Sequence, residues 1–290
     1  MSDQASRLRD MIQNKEFDSQ KPFRIITVTS GKGGVGKSNF SANLSVALKN
    51  LGQKPIILDA DFGLANIDLI LGQRPTYSLA HLIEGGYGIK DIITYTPHDV
   101  PFISGGSGVR EMLFLKDYQL DMIAEELSKL TFVADTLIID TGAGINDTVI
   151  KFCEMADDVC LVITPDPSSI TDAYALIKTF VRDLRLKPNF TAVVNRVDSQ
   201  QEADAVYRKI AVTGKNFLGL DIKYGGCIPY DPQLVKAIKA QQPIQSVNAN
   251  APSSLGYTSV ARKLLNMSDV APQKESLKDK FRRILANKNS

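Results

Sequence analysis

The stretch Ser30-Gly31-Lys32-Gly33-Gly34-Val35-Gly36-Lys37-Ser38 constrains this chain more than any other part of it. It follows a β-branched run, Phe23-Arg24-Ile25-Ile26-Thr27-Val28-Thr29. It precedes Asn39 to Leu48, where Phe40, Leu44, Ala47 and Leu48 recur at helical spacing. Strand, glycine-rich loop and helix in that order predict a phosphate-binding loop. The glycines let backbone N–H groups turn inward on an anion, and the helix N-terminus adds partial positive charge. Lys37 is spaced to reach the β- and γ-phosphates of a nucleotide, and Ser38 to offer its hydroxyl to Mg²⁺. Lys32 is a second lysine where one suffices. Two ammonium groups in one loop repel unless a polyanion lies between them.

The rest of the chain alternates in the same way. Lys54–Asp59, Thr136–Asp140, Asp158–Thr164, Phe190–Asn195 and Asp221–Ile228 read as buried strands. Asp172–Leu184 and Ala203–Thr213 read as helices. Alternating strands and helices predict an α/β fold with a mostly parallel twisted sheet and helices on both faces. No repeat or domain boundary interrupts residues 23–265, and a length of 290 residues with 43% hydrophobic content suits one such domain.

Composition narrows the function classes. Thirty-four basic residues against 32 acidic ones leave a net charge of +2, so no direct nucleic-acid partner is expected. Cys153, Cys160 and Cys227 form no CxxC pair, as in a reduced cytosolic protein, and His81 and His98 are too few for a histidine metal site. The apolar runs are strand-length, well short of the ~20 residues that span a bilayer. The opening SDQASRLRD lacks the apolar core of a signal peptide.

Three acids complete the predicted site. Asp59 and Asp61 end the KPIILD strand, at the sheet edge where α/β folds bind ligands. Leu137-Ile138-Ile139-Asp140-Thr141-Gly142-Ala143-Gly144 is an apolar strand ending in an acid, the Walker B pattern, with glycines that permit a switch. Asp140 is then a direct or water-mediated Mg²⁺ ligand. Asn195-Arg196-Val197-Asp198 differs by one lysine from NKxD, the guanine-reading motif, which leaves GTP open beside ATP.

KGGVGKS, DADFGLANID, DTGAG, the NR pair and IPYD together resemble the MinD/ParA class of deviant Walker A ATPases, over residues 23–265. The resemblance implies an ATPase with ATP and Mg²⁺ as cofactors. Lys32 acts in trans on the nucleotide of a second subunit, so that ATP drives a homodimer. It further implies Ser38, Asp59 and Asp140 around the metal and Asp61 orienting the attacking water. Catalysis then falls to Lys32, Lys37 and Asp61. Gly31, Lys32, Gly33, Gly34, Val35, Gly36, Lys37, Ser38 and Asn39 hold phosphate, while Asn195, Arg196, Pro229, Tyr230 and Asp231 lie at the base. Asn66 is implied near the dimer partner. Within the class, LDADFGLANIDLILG and SITDAYALIK are similar to the FlhG (FleN) branch, regulators of flagellar number.

That branch implies roles for both ends. Residues 1–22 become a partner-activating segment. Asp3-Gln4-Ala5-Ser6-Arg7-Leu8-Arg9 matches DQAxxLR, through which Asp3, Gln4, Ala5, Leu8 and Arg9 act on an FlhF-type signal-recognition GTPase. Read physically, Ala5, Leu8, Met11 and Ile12 share one face of a helix too short to be stable alone. Residues 23–267 form the ATPase domain, and 268–290 a polar linker and an amphipathic helix. In that helix Leu277, Phe281, Ile284 and Leu285 form one stripe flanked by Lys278, Lys280, Arg282 and Arg283. Such a helix suits an anionic membrane, and the polar linker predicts a mobile tail. The implied partners are that GTPase, a flagellar basal-body (C-ring) protein, a flagellar transcription activator and the membrane. The expected location is the cytoplasm, with ATP-dependent peripheral association with the inner membrane. A division-site MinD-type ATPase and a ParA-type DNA-partitioning ATPase remain the alternatives. An iron–sulfur carrier is disfavoured by the cysteine spacing.

Overall fold

The computed structural model describes residues 23–61, 66–106, 117–266 and 276–286. Eight strands form one sheet: β1 Arg24–Thr29, β2 Pro55–Ala60, β3 Ile93–Thr94, β4 Phe102–Ser104, β5 Thr136–Thr141, β6 Asp158–Ile163, β7 Phe190–Val197 and β8 Lys223–Pro229. Their order is β3-β4-β2-β5-β1-β6-β7-β8, with every pairing parallel except β3 with β4. The alternation predicted the mostly parallel sheet, though not its strand order or the antiparallel edge pair. β2, β5 and β6 are buried along their whole length, as a sheet covered on both faces requires.

The helices are α1 Lys37–Asn50, α2 Ile67–Leu71, α3 Leu79–Glu84, α4 Ile89–Ile92, α5 Asp117–Ser128, α6 Asp147–Met155, α7 Pro167–Lys178, α8 Gln200–Leu218, α9 Pro232–Lys239, α10 Ile244–Val247, α11 Pro252–Asn266 and α12 Leu277–Ala286. Two differences from the sequence reading bear on function. The helix expected from Asp172 begins at Pro167, because the Asp166 side chain accepts from Ser168 N and proline fixes the first turn. It ends at Lys178 and passes into a π-helical turn, Thr179–Asp183.

The second difference is a correction. The C-terminal helix was expected to be a mobile tail, but α12 packs on α5 and α6 of its own domain. Leu277 and Phe281 are buried in one cluster with Ala124, Leu127, Phe152 and Met155. Lys280 Nζ donates to Asp157 Oδ1 at 2.7 Å in a nearly buried pair, Arg283 pairs with Glu154, and Lys278 pairs with Glu125. The stripe that suits a lipid surface also suits an apolar groove rimmed by carboxylates. The side chains of Ile284 and Leu285 lie outside the described residues, as do residues 1–22 with Asp3, Gln4, Ala5, Leu8 and Arg9. Among the described residues no helix is long and apolar enough to cross a membrane.

Candidate nucleotide site

The site lies at the carboxyl ends of β1, β2 and β5, where the β2–β5 register sets Asp59 opposite Asp140. Gly34 and Gly36 take the positive φ values of 76° and 95° that wrap a loop around an anion. Gly31 is required by a close approach, since a Cβ there would lie 2.2 Å from the Asp172 carbonyl carbon of α7. Gly144 N donates to Ser30 O at 3.0 Å, which ties the DTGAG turn to the loop.

The two lysines separate completely. Lys37 is buried, and burial holds its pKa below the ordinary value even though Asp140 and Asp61 favour its charge. Lys32 points out of the loop. Its Nζ donates to Asp166 Oδ2 at 3.0 Å and to the Ser168 hydroxyl, and the Lys32 side chain is 39% exposed. This bond holds the Asp166 carboxyl below its usual range. Asp166 and Ser168 were not foreseen from sequence. The string Asp166-Pro167-Ser168 does carry a helix-start signal.

The three acids converge. Asp140 is fully buried and accepts from Ser41 Oγ at 2.8 Å. Asp59 accepts from Asp61 N and Ile67 N. Burial first, and then the Asp140 charge, push Asp59 up to about 7. Burial pushes Asp140 up to about 6, against hydrogen bonds from Ser38 and Ser41 and the Lys37 charge. The Asp61 carboxylate lies over Gly142, where an added Cβ would be 3.5 Å from Oδ1. Residues 62–65 of the FGLANID stretch lie outside the described residues.

Mg²⁺ fits this donor set. Asp140 Oδ2 is buried without a hydrogen-bond partner, with Ser38 at the same carboxylate, and hard oxygen donors suit the ion. Ion binding requires deprotonated carboxylates. The raised values therefore predict that Mg²⁺·nucleotide affinity falls by up to about tenfold per pH unit below about pH 7, and by up to about a hundredfold per unit below about pH 6, where both carboxylates take up protons. Calorimetric titration at pH 5.5 and 7.5 checks this, and equal affinities would refute it. The sign for folding is opposite. The metal-free fold carries a penalty that is absent below the ordinary carboxylate range and grows as pH rises to about 7.

At the base-binding end several expected contacts are otherwise engaged. Asn195 Nδ2 donates to Val35 O at 2.8 Å, and its Oδ1 accepts from Arg196 N, so this amide faces the loop. Asn39 Oδ1 accepts from Asn43 Nδ2 and Tyr257 OH. Asp231, expected at the nucleotide, turns its carboxylate inward. It is buried, caps α9 through Gln233 N, and accepts from Ser253 N and Oγ, so its carboxylate holds the loop in place. Pro229 ends β8 opposite Val197. Arg196 and Tyr230 are exposed, Arg196 with a positive φ of 61° and Tyr230 at 59% exposure.

A family model described as ParA, an NUBPL iron-transfer P-loop NTPase, matches residues 22–265. The chain belongs to the ParA family of P-loop NTPases. Antiactivator FleN of Pseudomonas aeruginosa is 38% identical over 250 residues, covering 86% of this chain and 89% of that protein. Flagellum site-determining protein YlxH of Helicobacter pylori is 34% identical over 294 residues, covering 98% and 99%. These two set this ParA-family member in the MinD-like FlhG (FleN) branch. MinD cell division protein of Aquifex aeolicus matches the fold with a TM-score of 0.64 at 27% identity, over 87% of this chain and 100% of that one. The iron transfer belongs to the family description. Here Cys153 and Cys160 are buried, and no group of three or more His, Cys, Asp or Glu side chains placed to hold a metal ion occurs among the described residues.

Proposed function

We propose that this ParA-family chain is a nucleotide-switched ATPase that regulates flagellar number and placement. The observation that carries this reading is the division between the lysines, Lys37 inside the loop and Lys32 outside it on Asp166. Lys37 neutralises the phosphates of the chain's own ATP. Lys32 exchanges Asp166 for the nucleotide of a second protomer, where its charge stabilises the transferring phosphoryl group. Each ATP then forms part of the dimer interface, and hydrolysis releases the monomers.

Asp61 orients the attacking water from above Gly142, and Ser38, Asp59 and Asp140 hold Mg²⁺, which supplies charge neutralisation at the phosphates. Adenine recognition falls to the Asn195–Arg196 loop and the exposed Tyr230, with ATP favoured over GTP by resemblance to the class. Asn195 reads the base only if its amide leaves Val35 O or uses its second N–H.

The names of the two relatives, an antiactivator and a flagellum site-determining protein, support a flagellar readout. The partners proposed are a flagellar transcription activator, a C-ring protein and an FlhF-type GTPase reached through Asp3, Gln4, Ala5, Leu8 and Arg9. The protein is proposed to be cytoplasmic and to reach the inner membrane in its ATP state through Leu277, Phe281, Ile284 and Leu285. Because α12 is docked, membrane binding requires that it first leave its groove.

The test is size exclusion of Asp61→Ala with ADP and with ATP, followed by vesicle sedimentation. This variant is expected to hold ATP, to dimerise stably and to lose at least a hundredfold in turnover. A monomer in ATP that dimerises in GTP would assign the other base, and no response to either nucleotide would remove the switch.

A further inference from the structure

Asn39 follows Ser38 in the first turn of α1, and what it presents to a nucleotide depends on which way round its amide lies. One orientation offers two N–H donors to an anion. The other offers a carbonyl oxygen, which an anion repels. The two fill the same space, so shape does not choose between them. The hydrogen bonds do.

The choice begins on the backbone of α10. Gln245 N can only donate, and it donates to the Asn43 side chain at 3.2 Å, which makes that atom Oδ1. Asn43 Nδ2 therefore faces the other way. It donates to Asn39 O, which can only accept, at 2.9 Å, and to the Asn39 side chain at 3.0 Å. The Asn39 atom that receives it is then Oδ1. Tyr257 OH of α11 lies 3.2 Å from the same oxygen and so donates to it as well. Asn43, Gln245 and Tyr257 are all buried, where such a network has few other ways to satisfy itself. It is also anchored from behind. Gln245 Nε2 donates to Ser254 O at 2.6 Å and to Thr258 Oγ1 at 3.0 Å, and the Tyr257 ring packs against Phe40. Both bonds to the Asn39 side chain thus fall on Oδ1, which turns Nδ2 and its two N–H groups to the opposite side of the amide.

We propose that Asn43 and Tyr257 are positioning residues of the nucleotide site, which hold Asn39 with its N–H groups toward the α-phosphate. Lys37 and Ser38 are committed to the β- and γ-phosphates and the metal, so the residue after them meets the phosphate nearer the base. The helix that carries Tyr257 points the same way, since Ser253 at its start is tied to Asp231 in the loop at the base-binding end. A bond from Asn39 Nδ2 to that phosphate is charge-assisted, and the N-terminus of α1 adds to it. A reversed amide would set a carbonyl oxygen against the phosphate instead. This proposal rests on the nucleotide reading given above and adds to it a role for α10 and α11.

The test uses the two diastereomers of ATP that carry sulfur on the α-phosphate. Each replaces one non-bridging oxygen by sulfur, a weaker acceptor. The unaltered chain is expected to bind one of them about tenfold more weakly than the other. Asn39→Ala is expected to weaken ATP binding about tenfold and to erase that difference. Tyr257→Phe takes one donor from Asn39 Oδ1. Asn43→Asp still accepts from Gln245 N but sets an oxygen against Asn39 Oδ1, which turns the amide round. Each is expected to shrink the diastereomer preference at least threefold, and melting temperature reports the fold of each variant separately. A loss shared equally by ATP and both diastereomers would mark these side chains as packing only and overturn the proposal. So would a preference that Asn39→Ala erases while Tyr257→Phe and Asn43→Asp leave it whole. If the variants instead erase a preference for ATP over 3′-deoxy-ATP, the amide serves the ribose and the assignment to phosphate is overturned. If the unaltered chain binds neither ATP nor GTP, the nucleotide reading itself fails and takes this one with it.

Discussion

Replacing Lys32 with alanine is expected to lower ATP turnover by about a thousandfold and to abolish the ATP-dependent dimer, while leaving the fold and ATP binding intact. The expectation follows from where the side chain lies. Lys32 leaves the loop and pairs with a half-exposed Asp166, an interaction that adds little to stability. Its removal therefore takes nothing from the core. What it takes is a positive charge that the chain's own nucleotide does not need, because Lys37 already sits buried beside Asp140 and Asp61. Lys37→Ala, by contrast, should remove nucleotide binding itself. Three measurements separate these roles: affinity for a fluorescent ATP analogue, mass by light scattering, and phosphate release. Normal affinity with lost dimer and lost turnover supports action in trans. A Lys32→Ala monomer that hydrolyses ATP at the original rate would show that this lysine acts nowhere in the reaction.

Asp157→Asn is expected to release the C-terminal helix. Lys280 is 4% exposed in its docked position, and its ammonium is matched by the Asp157 carboxylate. Removing one partner of a buried pair costs about 3 kcal/mol, because the other charge stays desolvated. Undocking relieves that cost at once, so the docking equilibrium is expected to shift by about a hundredfold. Asparagine keeps a carbonyl that accepts from Ile25 N, so the start of β1 is spared. Hydrogen exchange over residues 277–286 should accelerate, and vesicle binding should appear without ATP. Unchanged protection would mean that Leu277 and Phe281 hold the helix by burial alone.

Much of this was legible in the chain itself. β1, β2, β5, β6 and β7 announce themselves as apolar runs because both sheet faces are covered. The loop, Asp59, Asp61 and Asp140 follow from their places at strand ends. β3 and β4 escaped notice because two and three residues carry no period. Asp166 and Lys32 are 134 positions apart, and no local pattern joins them. The tail shows a different limit. Its stripe told correctly that one face seeks an apolar surface, but not which surface. The groove is assembled from α5 and α6, and Ala124, Phe152, Leu277 and Phe281 join one cluster only in the folded molecule.

The docked helix has an electrostatic consequence of its own. Lys278, Lys280 and Arg283 already have anions, in Glu125, Asp157 and Glu154. Moving to an anionic bilayer exchanges these carboxylates for lipid phosphates and creates no new charge pairing. Added salt screens the exposed pairs on both sides of that exchange. The ionic-strength dependence of membrane capture should then be shallower than the number of tail cations suggests. The balance between groove and bilayer is left to the apolar stripe, whose two hosts differ in depth and shape more than in charge.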